Sequence, residues 1–104
     1  MEFEAGSVHT AQALITNLAA KEFTYQTYLY FGAGLSPTPI SSVTLAAGGS
    51  TTVAYSAVMP SSEGLYDVYI DVLYNGEVIA HKKSTEPVTI VISPAVDIGD
   101  IVWE

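Results

Sequence analysis

Glycine and proline divide this chain into strand-sized pieces, and no piece carries the spacing of an amphipathic helix. The breaks fall at Gly6, Gly32 to Pro39, Gly48-Gly49, Pro60 to Gly64, Asn75-Gly76, Pro87 and Pro94. Between them Val, Ile, Thr, Tyr and Leu dominate, side chains that suit a pleated surface. No capped segment places apolar residues at i, i+3, i+4 and i+7, so helix content should be close to nil. Short strands with turn signals at this spacing predict an all-β sandwich or barrel.

The clearest strand runs from Glu22 to Phe31. Phe23, Tyr25, Thr27, Leu29 and Phe31 share one face, which should be buried, and Thr24, Gln26, Tyr28 and Tyr30 share the other. A second strand spans Leu65 to Tyr74, with Tyr66, Val68, Ile70, Val72 and Tyr74 on one side. Asp67, Tyr69, Asp71 and Leu73 lie on the other, and the carboxylates mark that side as wet. Asn75-Gly76 fits a two-residue type I′ hairpin, because both central positions need positive φ. Val43 to Leu45 and Thr51 to Met59 read as an antiparallel pair around Gly48-Gly49, with Val53, Tyr55, Ala57 and Met59 buried. Thr10 to Thr16 supplies another strand, and Val88 to Ile92 is a further one or the continuation of the strand from Glu77. The loop from Gly32 to Ile40 reads as a crossover between sheets. The predicted core is Phe23, Leu29, Phe31, Val53, Tyr55, Val68, Ile70 and Val72.

A chain of 104 residues, 49% hydrophobic and 13% charged, is long and apolar enough for one domain with its own core. Residues 1–94 read as the sandwich and residues 95–104 as a C-terminal strand or linker. The net charge of -8 repels phosphate backbones and anionic lipid surfaces, so neither nucleic acid nor membrane insertion is expected. The absence of cysteine removes disulfides and thiolate chemistry. No apolar run approaches a membrane span, and Met1 to Ser7 shows no basic stretch leading into an apolar one as a signal peptide would.

Three stretches together resemble the bacterial and archaeal immunoglobulin-like modules of the CARDB (cell-adhesion-related domain) type: Ala13 to Asn17, Leu45 to Val53 and Glu63 to Val68. The resemblance covers residues 8 to 92. It implies an immunoglobulin-like antiparallel β-sandwich of about seven strands and an extracellular or cell-surface location. It also implies a tyrosine corner, in which a largely buried Tyr66 bonds through its hydroxyl to main chain before Gly64. Family members begin with an apolar first strand, whereas here only Met1 to Ala5 precede Gly6. The segment after Pro94 itself looks like such a strand, with Val96, Ile98, Ile101, Val102 and Trp103 apolar. That segment either returns to its own sheet, fills the first-strand slot of a neighbouring copy, or begins a further module.

Catalytic chemistry finds little to work with. His9 and His81 are the only imidazoles, and neither sits in a nucleophile motif. Asp97, Asp100 and Glu104 share the C-terminal segment but do not make a calcium loop, so they read as solvated carboxylates. Gly32-Ala33-Gly34 lacks the helix and lysine of a phosphate cradle. No enzyme activity, metal or cofactor is expected. The strongest signal outside the core is the outward face of the two tyrosine-rich strands, where Gln26, Tyr28 and Tyr30 should stand beside Asp67, Tyr69 and Asp71. Counting back from the hairpin adds Val78 and Lys82 to this face and turns His81 inward, a conflict that a bulge near His81 would relieve. Such a face suits a protein partner, self-association included, or a glycan stacked on the rings. The chain therefore reads as a non-enzymatic structural or adhesion module that acts by assembly or protein-protein contact, with strand addition between copies as one route. A carbohydrate-binding module is the alternative.

Overall fold

The computed structural model describes residues 1–103. Nine strands run in chain order: β1 (Glu2–Glu4), β2 (Val8–Thr16), β3 (Phe23–Phe31), β4 (Ser41–Leu45), β5 (Ser50–Val58), β6 (Gly64–Tyr66), β7 (Val68–Tyr74), β8 (Glu77–Lys83) and β9 (Val88–Val91). The ladders are β4-β3-β7-β8, β2-β5 and β1-β9-β6, all antiparallel except β1 beside β9.

The predicted strand from Leu65 is interrupted at Asp67, and the one from Glu77 between Lys83 and Val88. β6 pairs with β9 while β7 pairs with β3 and β8. The Ser84 amide donates to the Val68 carbonyl at 2.7 Å and bridges the two halves. With each interrupted strand taken as one, the count is seven. One layer then carries β1, β9/β8, β6/β7, β3 and β4, and the other carries only β2 and β5. This is an all-β sandwich of packed sheets, almost wholly antiparallel.

Two expected connections are corrected. The Val43–Leu45 and Thr51–Met59 strands do not pair: β4 lies against β3 and β5 against β2. The tight turn from Ala46 to Gly49, closed by Gly49 N to Ala46 O at 2.8 Å, is the sheet crossover. The loop from Gly32 to Ile40 instead joins β3 to β4 within one sheet. It does so because Phe31 and Leu35 exchange main-chain bonds and Thr38 takes over the next rung. The Thr38 amide donates to the Leu29 carbonyl at 2.8 Å, and its hydroxyl accepts from the Leu29 amide at 2.9 Å. Gly32 and Gly34 supply the positive φ angles, 54° and 95°, that this path requires.

The core has two parts. Leu29, Phe31, Tyr55, Ala57, Met59 and Ile90 form the larger, and Tyr25, Leu45 and Val72 the smaller. All eight predicted core residues lie in or against these clusters. Val68 and Ile70 are only half-buried because they floor a groove described below.

The tyrosine corner is present: the Tyr66 hydroxyl donates to the Ser62 carbonyl at 2.9 Å. The ring lies over Gly32 and Gly64 and is half-buried rather than largely buried. Tyr66→Phe keeps the ring and removes the bond, so urea unfolding should show a loss of about 1 kcal/mol. A variant as stable as the parent would mean that the corner contributes through ring packing alone.

Candidate functional site

Alternation along β3 puts Tyr28 and Tyr30 outward, and the antiparallel register sets them opposite Asp71 and Tyr69. On the next strand the hairpin begins as predicted, with Asn75 and Gly76 at φ 52° and 79° and Leu73 opposite Val78. The register then shifts between Val72 and Leu73: Val72 faces Ala80, and Ile79 is the extra residue of a β-bulge. The shift brings His81 opposite Asp71 on the outward face and turns Lys82 to the inner side, opposite Ile70. The expectation that Lys82 joins the tyrosine face is therefore corrected. His81 takes a place there, and Lys83 stands opposite Tyr69.

The rings form a continuous row. Tyr28 and Tyr30 are 5.6 Å apart between centroids, Tyr30 and Tyr69 are stacked at 5.3 Å, and Tyr69 and His81 are stacked at 5.1 Å. Beneath them Asp71 is only 6% exposed, although its parity had marked it as wet. The rings cover it, and His81 Nδ1 lies 2.6 Å from Asp71 Oδ1. The hydroxyls of Tyr30 and Tyr28 donate to its two oxygens over longer distances of 3.4 Å. The Tyr30 hydroxyl is held above its ordinary pKa, first by partial loss of water contact and then by the charge and hydrogen bond of Asp71. Tyr28 and Tyr69 push in the same direction.

With the loop at Gly32, Ala33, Gly34 and Pro37, the row walls an open hollow of about 610 Å³. It offers ring faces, hydroxyl lone pairs and one shielded carboxylate. Gln26 is on the same face but stands opposite Leu73, away from the stacked rings. Asp67 sits on the link between β6 and β7, where its carbonyl accepts from the Gly32 amide at 2.8 Å. Its side chain lies 3.6 Å from Lys83, an exposed pair worth little in stability. Thus Tyr28, Tyr30, Tyr69 and Asp71 come together as expected, Gln26 and Asp67 are peripheral, and Lys82 is on the other side. His81 is the addition, and the conflict in the hairpin count was its only signal in the sequence.

A second feature lies along β2. One edge of β2 pairs with β5, while the other has no strand beside it among the described residues. Between that edge and β7/β8 runs an open groove of about 420 Å³, walled by Ala13 and Ile15 on one side and by Ile70, Val72, Ala80 and Lys82 on the other. An adjoining hollow shares Leu14, Ile15, Val72 and Ala80 and extends past Leu18, Tyr25 and Ile79. The predicted strand-addition segment does not fill the groove. Val96, Ile98, Ile101, Val102 and Trp103 are 79% to 92% exposed and belong to no strand. The radius of gyration is 18.8 Å, well above the ~13 Å of a compact chain of about 100 residues, as a segment standing off the body requires. The return of this segment to its own sheet is thus not what the structure shows. β1 takes the place beside β9, which leaves the edge of β2 free.

Of the remaining candidates, His9 Nε2 lies 2.9 Å from Ser7 Oγ, and its ring centroid is 4.3 Å from that of Phe3. Among the described residues no acid bonds to the other ring nitrogen, so the pair lacks the third group that orients a base. Asp97 and Asp100 are on the exposed segment, and Glu104 lies outside the described residues. No protein-family model matches the chain, and no curated protein matches it.

Proposed function

We propose that this chain is a non-enzymatic structural module that works by self-association, of the kind found as beads or subunits in adhesive surface proteins. The observation that carries this reading is the unpaired edge of β2 beside an apolar groove, in a chain that also holds an apolar segment in water. An unprotected edge of this kind is a template for pairing with another chain. The sandwich fold and the tyrosine corner support the resemblance to CARDB-type modules, and the extracellular or cell-surface location rests on that resemblance alone. Sedimentation of the purified protein over a rising concentration series tests the reading: the mean mass should climb with concentration. A single monomer mass throughout would overturn it.

A carbohydrate-binding role is the second reading, favoured by the stacked row of Tyr30, Tyr69 and His81 along one wall of an open hollow. Apolar sugar faces stack on such rings, and the nearby hydroxyls and amides can bond to the sugar's own. On a glycan array the parent should give a signal that the Tyr28→Ser/Tyr69→Ser double variant loses, with its urea midpoint little changed because both side chains lie outside the core. A parent without signal removes this reading and leaves the tyrosines as half-wet strand residues.

A further inference from the structure

We infer that the groove along β2 receives residues 96–103 of a second copy as an added β-strand, so that copies join head to tail. This deepens the self-association reading and rests on it. The free edge of β2 leaves alternate amides and carbonyls without a ladder partner, and the groove beside it is apolar. The segment matches both needs. Val96, Ile98, Ile101 and Val102 are β-branched strand formers, and all four are exposed together with Trp103. Val96 and Ile98 share one parity, and Ile101 and Trp103 share the other. A one-residue bulge at Gly99-Asp100 would bring these four onto one face and turn Asp97 and Asp100 outward. Lys82, on the groove wall, can reach its rim and offers charge complementarity to those carboxylates.

Strand direction selects the partner. β9 runs parallel to β1, with Val91 opposite Glu4, and the turn at Gly6 reverses the chain into β2. The segment therefore leaves the sandwich at the end where β2 begins. To pair antiparallel with β2 in its own molecule it would first have to travel the length of that nine-residue strand, about 30 Å. The stretch from Ile92 to Ala95 reaches at most about 14 Å. Pairing in cis would thus be parallel, which is slightly weaker per residue than the antiparallel ladder open to a second copy. Continuing outward, the same segment enters the next copy at the far end of its groove and runs antiparallel to that copy's β2. Such a contact is heterologous and need not close, so it builds open filaments wherever the rotation between copies does not complete a ring.

The test uses the full chain and Trp103, its only tryptophan and 90% exposed. As concentration rises, Trp103 emission should move to shorter wavelength together with the increase in mass, and β2 amides should exchange more slowly in the polymer. Ile98→Asp changes a side chain outside the folded body, so its circular dichroism and its urea midpoint, measured at concentrations where the parent is monomeric, should match the parent, while polymer and emission shift at higher concentration are lost. A parent that stays monomeric at every concentration overturns self-association and this inference together. A polymer that Ile98→Asp forms equally well, or in which β2 amides exchange as in the monomer, overturns the inference alone and leaves the function standing. A short-wavelength emission independent of concentration means insertion in cis and also overturns it.

Discussion

Replacing Asn17 with alanine is expected to cost roughly 3 kcal/mol, because one side chain closes two sheet-to-sheet connections at once. Asn17 is 1% exposed at the end of β2. Its Nδ2 donates to the carbonyls of Lys21, Leu45 and Ala46 at 2.9, 3.1 and 3.1 Å. Its Oδ1 accepts the Ala19 amide at 3.0 Å and the Tyr25 hydroxyl at 2.7 Å. The Asn17 amide donates in turn to Gly49 at 2.8 Å, so the link from β2 to β3 and the crossover from β4 to β5 share this residue. Alanine leaves the buried Tyr25 hydroxyl and the Leu45 carbonyl without this partner and removes the part-buried bonds to Lys21, Ala46 and Ala19; each buried group left unpaired costs about 1–3 kcal/mol. Asn17→Asp keeps the shape but aims a carboxylate at three carbonyls, and it should be no better tolerated than alanine. Urea midpoints at unchanged m-value measure both. A loss below about 1 kcal/mol for Asn17→Ala would show that water replaces the network.

Asn17 closes the Ala13–Asn17 stretch of the family resemblance, but no alternation marks it as a buried hub, and the reason is general. Alternation reports which residues of a strand share a face, so β3 and the buried parity of β5 are legible wherever apolar and polar residues alternate strictly. Alternation does not say which sheet a strand joins. Gly48-Gly49 between two apolar-patterned strands looks like a hairpin, yet Leu45 is claimed by Tyr25 and Val72 while Tyr55 and Ala57 belong to the other cluster. A single buried amide that bonds to backbone leaves no period at all. The tyrosine face was legible in composition and parity, but two facts about it were not. Counting from a turn assumes an unbroken ladder, and one extra residue at Ile79 exchanges Lys82 for His81. A carboxylate reads as wet, whereas Asp71 is covered by Tyr28 and Tyr30 from β3, 43 and 41 residues away in the chain, together with Tyr69 of its own strand and His81 from β8. The exposed segment reads in the sequence as an apolar strand without a sheet, and what the structure adds is an edge of β2 that has no strand beside it among the described residues.

Tyr55→Ala should have the largest effect of any single change in the chain, roughly 3–5 kcal/mol, as for other large aromatic truncations in cores. The ring is 1% exposed, at the centre of the larger cluster between the sheets. Its hydroxyl lies 2.8 Å from Thr27 Oγ1, which itself donates to the Asp71 carbonyl at 2.8 Å. The threonine's one proton is committed there, so Tyr55 is the donor, and a hydrogen-bonded chain runs from β5 across the sandwich through β3 to β7. Tyr55→Phe breaks only this chain and should cost about 1 kcal/mol, which separates the hydroxyl from the ring. The larger loss also has a direction. A two-stranded sheet is marginal in water without a face to pack on, and β2 and β5 are that sheet. Removing the ring takes away the largest buried side chain that β5 places against the other layer, so the damage should appear first in β2 and β5. Native-state hydrogen exchange reads this: amides of the β2-β5 ladder in Tyr55→Ala should lose protection before those of β3 and β7. Because the proposed association uses the free edge of β2, it predicts that the variant associates poorly even where β3 and β7 remain protected. Uniform loss of protection across all strands would instead show one cooperative unit in which the two-stranded layer has no weakness of its own.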